Sequence, residues 1–334
     1  MGRDVDYKQG DIIAELKRRI SAGVYSSCVP TGATLAAEFK VNIKTINKAL
    51  NELVESGCIN RKRGVGTFVS SHATDNRQIE VLFEGYSDLF EHPFWGKFWN
   101  GCIPGLLDAQ YRPVLTQLHA DKTGKLLLDD FQFSPSAGKL LLGITQKDFI
   151  ELVRRQGVPV VSMGDEVNDP EFPQVCFNCD PGIHSAISFL VKKGCRRIAF
   201  IGETHNDFNP KVLNKFDAYR RALESFNIFD PELAEHARPL PESVAVALPR
   251  LLERTCFDAI FVAGDHQVPY VEITLKERNI SIPIVGCDGL EFATWPTVAL
   301  PRRAAGEAAA QMLIKLIKKE PTQLRVALPT QFIF

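Results

Sequence analysis

The sequence predicts an α/β protein in which an N-terminal winged helix-turn-helix precedes a larger body built on parallel β-sheets. Residues 35–69 hold a short helix, a turn, a second helix and a glycine-rich basic hairpin, in that order. This is the layout of a winged helix. From Ile79 onward, strand-like runs alternate with helical stretches, which is typical of parallel sheets covered by helices. A short polar stretch between the two regions predicts a linker. We therefore expect domains at 1–70 and 79–334, joined by residues 71–78.

The second helix of the N-terminal module is predicted to begin after Asn42, because an Asn side chain can cap the first helical turn, and to end before Gly57. Its apolar residues recur at steps of three and four and predict a buried stripe of Ile43, Ile46, Leu50 and Leu53. Short polar and basic residues fall on the opposite face: Lys44, Thr45, Lys48 and Asn51. Such a face suits the major groove of DNA.

A basic hairpin follows this helix directly. Residues 58–60 and 67–69 are predicted strands, and three adjacent cations at the tip, Arg61, Lys62 and Arg63, suit a phosphate backbone. Gly64 and Gly66 allow the backbone to approach DNA closely. The alternative is a helical hairpin with a solvated basic loop, and the hairpin placed directly behind the helices favours DNA binding.

The N-terminal region resembles the GntR family of bacterial transcription regulators over about residues 7–69. The resemblance rests on Gly-x-Gly-Thr-Phe-Val at 64–69 and on Ile20, Gly23, Tyr25, Pro30, Leu35, Ala36, Phe39, Val41, Thr45, Ala49, Leu50, Leu53, Gly57 and Ile59. Three arginines that often touch DNA in the family are Ala33, Ile43 and Asn47 here, so the family's operator preference does not transfer; Asn47 could favour adenine instead. The resemblance implies DNA contacts from Thr31, Asn42, Lys44, Thr45, Asn47, Lys48, Arg61, Lys62, Arg63, Gly64 and Gly66.

Composition sets limits on the class of protein. The chain is 45% hydrophobic and 24% charged, as in ordinary globular proteins. It has no apolar run of about 18 residues that would span a membrane, and its first ten residues lack the apolar core of a signal peptide. We therefore expect a soluble cytoplasmic protein.

Charge is distributed unevenly along the chain. Residues 1–75 hold 11 Lys and Arg against 8 Asp and Glu, a net charge of +3, and the remainder holds 28 against 32, a net charge of −4. This asymmetry suits a DNA-binding head on an acidic body. The eight cysteines form no framework, and the single CxxC, Cys176 to Cys179, has no second pair or nearby histidines. We expect no metal and no cofactor.

The body alternates strands and helices. The predicted strands are Ile79–Phe83, Arg112–Thr116, Lys139–Gly143, Val158–Ser162, Arg197–Ile201, Ala259–Val262 and Ile282–Cys287. The predicted helices are Phe94–Ala109, Lys147–Gln156, Gly182–Lys193, Val212–Phe226, Ser243–Arg254, Val268–Arg278 and Arg303–Lys319. Parallel sheets of this kind bind ligands beyond the carboxyl ends of their strands.

The body resembles the LacI-type effector-binding core, which shares the fold of periplasmic sugar-binding proteins. Its markers are Asn178-x-Asp180-x-Gly182, residues 193–202, 218–223, 257–261, Gly264-Asp265, residues 284–288, and 302–313 with Gly306. The resemblance implies two αβ lobes with parallel sheets that close on a small molecule. One lobe would take about 79–180 and 290–320, and the other about 181–289 and 321–334. It also implies a homodimer that presents two winged helices to double-stranded operator DNA.

Several residues are candidates for the effector site. Asp265 and Asp288 each end a predicted strand, where a carboxylate can accept hydrogen bonds from sugar hydroxyls; a helix N-cap is the alternative. By resemblance, Lys215 stands where the family usually has an arginine that grips the effector, and Asp165 lies near another contact position. Aromatic residues follow the first strand, and at least two of Phe94, Trp95, Phe98 and Trp99 are expected to be buried core packing. Phe94 or Trp95 is expected to form a cleft wall.

These observations predict a ligand-responsive bacterial transcription regulator, a repressor whose operator affinity is set by a small molecule, expected to be a sugar. One alternative is a sugar-binding module in which the winged helix serves only for dimerisation. Another is an enzyme with an accessory winged helix, although the chain contains no nucleophile elbow, no P-loop and no HExxH motif.

Overall fold

The computed structural model describes residues 9–21, 24–25, 28–56, 58–62, 65–69, 77–84, 94–120, 126–128, 131–204, 214–238 and 240–334. The chain divides into two compact units. One comprises residues 1–86, 103–161 and 310–322, and the other comprises residues 87–102, 162–309 and 323–334. Residues 71–76 of the expected linker (71–78) lie outside the described residues, and Gln78 begins the first strand of the body. The winged helix thus shares its unit with part of the body.

The N-terminal residues form a winged helix. Its helices are α1 (Gln9–Ser21), α2 (Gly32–Glu38) and α3 (Ile43–Glu55), and its strands are β1 (Cys28–Val29), β2 (Ile59–Lys62) and β3 (Gly66–Val69). The strands are antiparallel in the order β1-β3-β2. Fully buried apolar side chains from all three helices, including Leu16, Leu35 and Leu50, form its core. This module closely follows the predicted order of elements.

The apolar stripe of α3 is narrower than predicted. Ile46, Leu50 and Leu53 are fully buried, but the side chain of Ile43 is 47% exposed. The prediction for Ile43 was wrong because this residue is the first of the helix, where the chain has just left Asn42 and the core begins one turn later. Ala49 takes its place in the buried stripe.

The body contains two six-stranded sheets. The first has the order β14-β8-β7-β6-β4-β5. Its strands are β4 (Gln78–Glu84), β5 (Arg112–Leu118), β6 (Gly138–Leu142), β7 (Val160–Gly164), β8 (Gln174–Asn178) and β14 (Arg325–Pro329). The pairs β4–β5, β4–β6, β7–β8 and β8–β14 are all parallel.

The second sheet has the order β10-β9-β11-β12-β13-β15. Its strands are β9 (Ile198–Gly202), β10 (Ala234–His236), β11 (Ala259–Val262), β12 (Ile284–Asp288), β13 (Thr297–Ala299) and β15 (Gln331–Ile333). All pairs are parallel except β13–β15, which is antiparallel. The helices of the body are α4 (Gly96–Asp108), α5 (Lys147–Arg154), α6 (Asp180–Lys192), α7 (Asn214–Ser225), α8 (Pro241–Arg254), α9 (Val268–Glu277) and α10 (Arg302–Ile317).

The strands near the C-terminus depart from the expected lobe boundaries. β13 lies within 290–320, which was assigned to the first lobe, yet it pairs with β12 in the second sheet. β14 lies within 321–334, which was assigned to the second lobe, yet it pairs with β8 in the first sheet. The chain passes from one sheet to the other at Thr330, whose hydroxyl donates a hydrogen bond to the carbonyl of Asn178. Thr330 alone therefore connects the last strand of the first sheet to the last strand of the second sheet. This connection was expected nearer to residue 320.

A buried ion pair joins two strands of the first sheet. The ammonium of Lys139 on β6 contacts the carboxylate of Glu80 on β4, and both side chains are almost wholly buried. Glu80 also accepts hydrogen bonds from the Thr116 hydroxyl and the Ser134 amide, at 2.9 and 3.0 Å. Burial lowers the pKa of Lys139, and the nearby carboxylate opposes that shift. The buried charge of Glu80 is therefore stabilised by two hydrogen bonds as well as by the Lys139 ammonium.

Helices α4 and α10 approach each other at two glycines. A Cβ atom on Gly101 would lie 2.1 Å from the carbonyl oxygen of Arg303, and one on Gly306 would lie 2.1 Å from that of Phe98. Only glycine fits at such distances. Among the described residues, no helix is long and apolar enough to cross a bilayer.

Candidate DNA-binding surface and effector site

The two helices of the helix-turn-helix begin with side-chain caps. Asn42 is extended, and its side-chain oxygen accepts a hydrogen bond from the Lys44 amide at 2.8 Å. Thr31 caps α2 in the same way by accepting from the Thr34 amide at 3.2 Å. Both residues were predicted DNA contacts, and both have a structural task at a helix start. The caps fix the position at which α3 begins and hence which residues its exposed face presents.

The exposed face of α3 is polar and basic. Lys44 and Lys48 are exposed, Thr45 and Asn47 are half-buried at its edge, and Ile43 adds an apolar side chain at its start. No acidic residue occurs in the first turn of the helix. A helix of this character, with its N-terminus free of carboxylates, suits the negative potential of a DNA groove.

The wing carries its cations beside this face. In the β2–β3 hairpin, Arg61 pairs with Thr67 and Lys62 pairs with Gly66. Gly66 has a φ of +149°, a backbone conformation that L side chains rarely adopt. The Lys62 ammonium lies 5.9 Å from the centre of the Phe68 ring. Arg63 and Gly64, also predicted DNA contacts, lie outside the described residues.

Arg61 is held against α3 rather than extended into solvent. Its Nη1 donates to the side-chain oxygen of Asn51 at 3.0 Å, and its Nη2 donates to that of Asn47 at 2.9 Å. Asn47 and Asn51 are four residues apart and therefore share one face of the helix. The sequence could indicate that Arg61 was near the DNA but not that it was fixed to the recognition helix.

The candidate effector site is centred on an ion pair at the carboxyl end of β12. The Lys215 ammonium on α7 donates to Asp288 Oδ1 at 2.5 Å and to the Ala263 carbonyl at 2.7 Å. Burial lowers the pKa of Lys215, but the Asp288 carboxylate and its other neighbours together raise it further, so its pKa lies above the usual value. Burial raises the pKa of the Asp288 carboxyl, and the Lys215 ammonium opposes that rise.

The backbone at Asp288 is strained. This residue is only 3% exposed and has a φ of +121°, although it is not a glycine. Conformations of this kind cost on the order of 1–3 kcal/mol and concentrate at ligand sites. The next residue, Gly289, also has a positive φ, and a Cβ there would lie 2.7 Å from Ala299. The turn after β12 is therefore shaped to aim a carboxylate at Lys215.

Phe94 lies beside this ion pair. The Lys215 ammonium is 5.7 Å and the Arg302 guanidinium carbon is 5.4 Å from the centre of its ring. Trp95 packs edge-on against Phe94, with ring centres 4.6 Å apart. Both rings are half-buried, whereas Phe98 behind them is fully buried. The structure thus brings Phe94, Trp95, Lys215 and Asp288 together, and their role as the wall and polar groups of an effector site stays a prediction.

Arg302 belongs to this group and was not among the predicted site residues. It is 4% exposed, and its Nη2 donates to the Gly289 carbonyl at 2.8 Å. Burial lowers its pKa, and attraction to Asp288 counteracts the shift. In the sequence it appeared only as the start of a helix. A basic residue at a helix N-terminus, where cations are unfavourable, is the signal that could have identified it.

Asp265 differs from the prediction. Its side chain is fully buried, and its carboxylate accepts hydrogen bonds from Trp295 Nε1, the Thr297 hydroxyl and the Leu290 amide, at 2.9, 2.8 and 2.9 Å. Burial raises the pKa of this carboxyl. The assignment of Asp265 as a sugar contact is corrected here, because its oxygens are occupied by groups that fix the loop after β12. Asp165 is exposed, and its charge contributes to the raised pKa of Asp288.

The cysteines of the CxxC are buried and free. Burial raises the pKa of the Cys176 thiol and raises that of Cys179 to about 12. Both therefore remain protonated thiols at neutral pH, a state that is a poor nucleophile toward disulfides. Within the part of the chain that the structure describes, no group of three or more His, Cys, Asp or Glu residues could hold a metal ion.

A pocket of about 450 Å³ lies next to the Lys215–Asp288 site. Its lining includes Lys97, Gly289, Glu291, Arg302 and Glu307. It shares Gly289 and Arg302 with the site but contains neither Lys215 nor Asp288. It is a surface depression at the start of α10 and not the candidate effector site, because neither member of the Lys215–Asp288 pair lines it.

Two protein families match separate parts of the chain. Residues 8–69 match the bacterial regulatory proteins of the gntR family, and residues 187–334 match the periplasmic binding protein-like domain. These ranges coincide with the winged helix and with the second half of the body. The match therefore covers both the DNA-binding surface and all of α7, β12 and α10, which carry Lys215, Asp288 and Arg302.

Similar proteins are transcription regulators. The arabinose metabolism transcriptional repressor of Geobacillus stearothermophilus is 24% identical over 322 residues, which cover 87% of this chain and 85% of that protein. The transcriptional regulator GntR of Pseudomonas aeruginosa is 27% identical over 246 residues, covering 64% and 71%. Among solved structures, the regulator CelR in complex with cellobiose has a TM-score of 0.68 at 21% identity, covering 92% of this chain and 99% of that one. The last similarity establishes the fold.

Proposed function

We propose that this transcription regulator, which joins a winged helix of the gntR type to a periplasmic-binding-protein-like core, represses its target genes as a homodimer whose operator affinity is set by a sugar bound at Lys215 and Asp288. A protein that works on operator DNA acts in the cytoplasm, where the regulated genes are. The DNA-binding surface would be the exposed face of α3 together with the wing.

The observation that carries the sugar assignment is the Lys215–Asp288 pair on a strained turn. The charges of Lys215 and Arg302 are compensated by Asp288 and by Glu291, which lies 3.8 Å from Arg302, so the site offers little net attraction to an ionic ligand. Two adjacent hydroxyl groups of a sugar can accept a hydrogen bond from an ammonium and donate one to a carboxylate at the same time. Phe94 adds an apolar ring beside these groups. This combination suits an uncharged polyhydroxyl compound, and the names of two similar proteins refer to arabinose and cellobiose.

The remaining alternatives are less well supported. The similar proteins are regulators rather than enzymes. A sugar-binding module that used the winged helix only for dimerisation would not need Lys44 and Lys48 exposed on α3, or Arg61 and Lys62 beside them. The basic face is explained by a polyanionic partner, and in a winged helix that partner is double-stranded DNA.

The effector site is tested with two variants of α7, in each of which one cationic residue is replaced by methionine. Lys215→Met removes the cation that faces Asp288, whereas Arg221→Met removes an exposed cation of α7 that pairs with Asp180. Pentoses, hexoses and disaccharides, with sugar phosphates and nucleosides as comparison ligands, are screened by thermal shift, and hits are measured by calorimetry. We expect an uncharged sugar to bind wild type and Arg221→Met equally, and Lys215→Met at least tenfold more weakly. Equal binding to all three would contradict the assignment.

The DNA-binding face is tested through salt dependence. Each phosphate contact that is lost lowers the slope of log affinity against log salt by about 0.9. Lys44→Ala with Lys48→Ala should therefore reduce the slope by about 2 for each protomer bound, measured by fluorescence anisotropy on a random-sequence duplex. A slope unchanged from wild type would exclude these two lysines from the interface.

Homodimer formation is tested by light scattering coupled to gel filtration. Two-fold symmetric regulators bind half-sites about one helical turn, or a multiple of it, apart. We expect a mass of twice 37.2 kDa and protection of two equally spaced half-sites in a footprint. A monomer that protects a single half-site would contradict this part of the proposal.

A further inference from the structure

The exposed face of α3 lacks an arginine. The helix has the sequence IKTINKALNELVE, with lysine as its only cation. Lysine is a flexible point charge, whereas the planar guanidinium of arginine can donate two parallel hydrogen bonds to guanine O6 and N7, the commonest specific contact to a base. A helix with no arginine therefore lacks the usual means of recognising a guanine.

An arginine reaches this face from the wing instead. Arg61 on β2 lies against α3 with its two terminal nitrogens bonded to the side-chain oxygens of Asn51 and Asn47, at 3.0 and 2.9 Å. Successive side chains of a strand point to opposite faces, so the side chain of Lys62 points away from α3 and lies over Phe68. The two neighbouring cations of the wing consequently face different surroundings.

The two asparagines restrict Arg61 in a way that suits base recognition. A free arginine side chain loses rotamer entropy when it becomes fixed. Here two hydrogen bonds to one rigid helix already fix the guanidinium plane. These bonds use two of the five N–H donors of the group, which leaves three for a ligand. All three residues are on the solvent-accessible side of the module.

We infer that Arg61, anchored on α3 by Asn47 and Asn51, is the base-reading arginine of this winged helix and selects a guanine in each operator half-site. The inference rests on the proposed function, because it requires that the winged helix binds operator DNA. It assigns Asn47 a positioning role: its side-chain oxygen is committed to Arg61, so it is not available for the two-bond contact with adenine that a free asparagine makes.

The experiment compares selectivity rather than affinity alone. Full-length wild-type protein selects its preferred sequence from a random duplex library, and affinities for that duplex and for a permuted duplex are then measured for each variant. Arg61→Lys keeps the charge but loses the planar fork. We expect it to lower the ratio of the two affinities by about tenfold or more while leaving affinity for the permuted duplex within about twofold of wild type.

Two further variants separate the possible roles. Lys62→Ala is the matched control in the wing, and it should weaken binding to both duplexes equally, leaving their ratio unchanged. Asn47→Ala combined with Asn51→Ala releases Arg61 and should reduce selectivity as Arg61→Lys does. Thermal unfolding of each variant confirms that the exposed substitutions leave the protein folded.

The outcomes distinguish the inference from the function on which it rests. If Arg61→Lys keeps the wild-type affinity ratio, Arg61 contacts phosphate only and the inference is overturned. If Asn47→Ala alone removes a preference for adenine while Arg61→Lys does not alter selectivity, Asn47 reads the base directly and the inference is again overturned. A wild-type protein that selects no sequence would overturn the proposed function, and the inference with it.

Discussion

Two aspartates that end neighbouring strands illustrate how far environment decides the role of a residue. Asp265 follows β11, and Asp288 ends β12. The carboxylate of Asp265 is occupied by Trp295, Thr297 and Leu290, whereas that of Asp288 meets the ammonium of Lys215, which is still partly exposed. The sequence context of the two residues is similar. Only the surrounding donors separate a structural carboxylate from a candidate ligand contact.

Asp265→Ala is expected to damage stability and not the effector site. The substitution leaves three buried donors without their acceptor, and each unpaired buried donor costs about 1–3 kcal/mol. We expect the free energy of unfolding in urea to fall by about 3 kcal/mol or more. The affinity of the folded fraction for the effector should stay within about twofold of wild type. A variant as stable as wild type that no longer bound the effector would contradict this prediction and would show that Asp265 contacts the ligand.

At the residue scale, the sequence pattern predicted the properties that depend only on neighbouring residues in the chain. The Asn42 cap and the burial of Ile46, Leu50 and Leu53 follow from spacing within one helix. The exposure of Ile43 could not be predicted in the same way, because the helical period continues to its first turn while the core beneath it does not. The position of Arg302 beside Phe94 joins residues about 208 positions apart, which no short pattern can indicate.

At the scale of elements, the contact of α4 with α10 depends on the absence of side chains. A Cβ at Gly101 would lie 2.1 Å from a backbone oxygen, whereas one at Gly105, a turn further along α4, would lie 3.9 Å from its nearest neighbour, the Cβ of Ala310. The two glycines look alike in the sequence, since both interrupt a predicted helix. Their difference arises only from the distance to the facing helix.

Gly101→Ala and Gly105→Ala therefore form a matched pair. The first should lower the free energy of unfolding by about 1–3 kcal/mol, because the facing backbone must shift. The second should be neutral or should raise stability by up to about 1 kcal/mol, because alanine favours helix over glycine. Differential scanning calorimetry of the two variants gives the comparison. Equal melting temperatures would show that α4 and α10 are not packed as closely as described.

The buried pair of Glu80 and Lys139 gives a second prediction for elements, since it connects β4 and β6. Lys139→Met leaves a buried carboxylate without its cation and should cost about 3–5 kcal/mol. Adding Glu80→Leu removes the uncompensated charge and should recover part of that loss, because the half-buried Thr116 hydroxyl and Ser134 amide then lose their acceptor. Chemical denaturation of both variants measures the recovery. A double variant no more stable than Lys139→Met would contradict this account.

The order of elements was predictable, but sheet membership near the C-terminus was not. The seven predicted strands and seven predicted helices of the body all correspond to elements of the structure, with ends displaced by a few residues. The strands that were not predicted, β8, β10, β13, β14 and β15, are three to five residues long and carry little periodicity. Their place is decided by pairing with distant strands, as when β14 joins β8 across more than a hundred residues.

For the whole molecule, the proposed regulator must couple two sites that share no residue. The DNA-binding surface belongs to the winged helix, and Lys215 and Asp288 belong to the second sheet and its helices. A ligand changes the affinity of the other site only if it binds one conformational state of the protein better than another. Coupling of this kind is measured as a ratio of affinities, typically five- to 150-fold or about 1–3 kcal/mol.

The coupling should be reciprocal, and this gives the prediction for the whole molecule. If saturating sugar changes the affinity for the selected duplex by some factor, saturating duplex must change the affinity for the sugar by the same factor. Fluorescence anisotropy with and without sugar gives the first factor, and calorimetry with and without duplex gives the second. Lys215→Met should bind the duplex as wild type does in the absence of sugar, yet need at least tenfold more sugar for the same response. A variant that responds over the same range of sugar concentration as wild type would mean that the sugar acts through a site other than the Lys215–Asp288 pair.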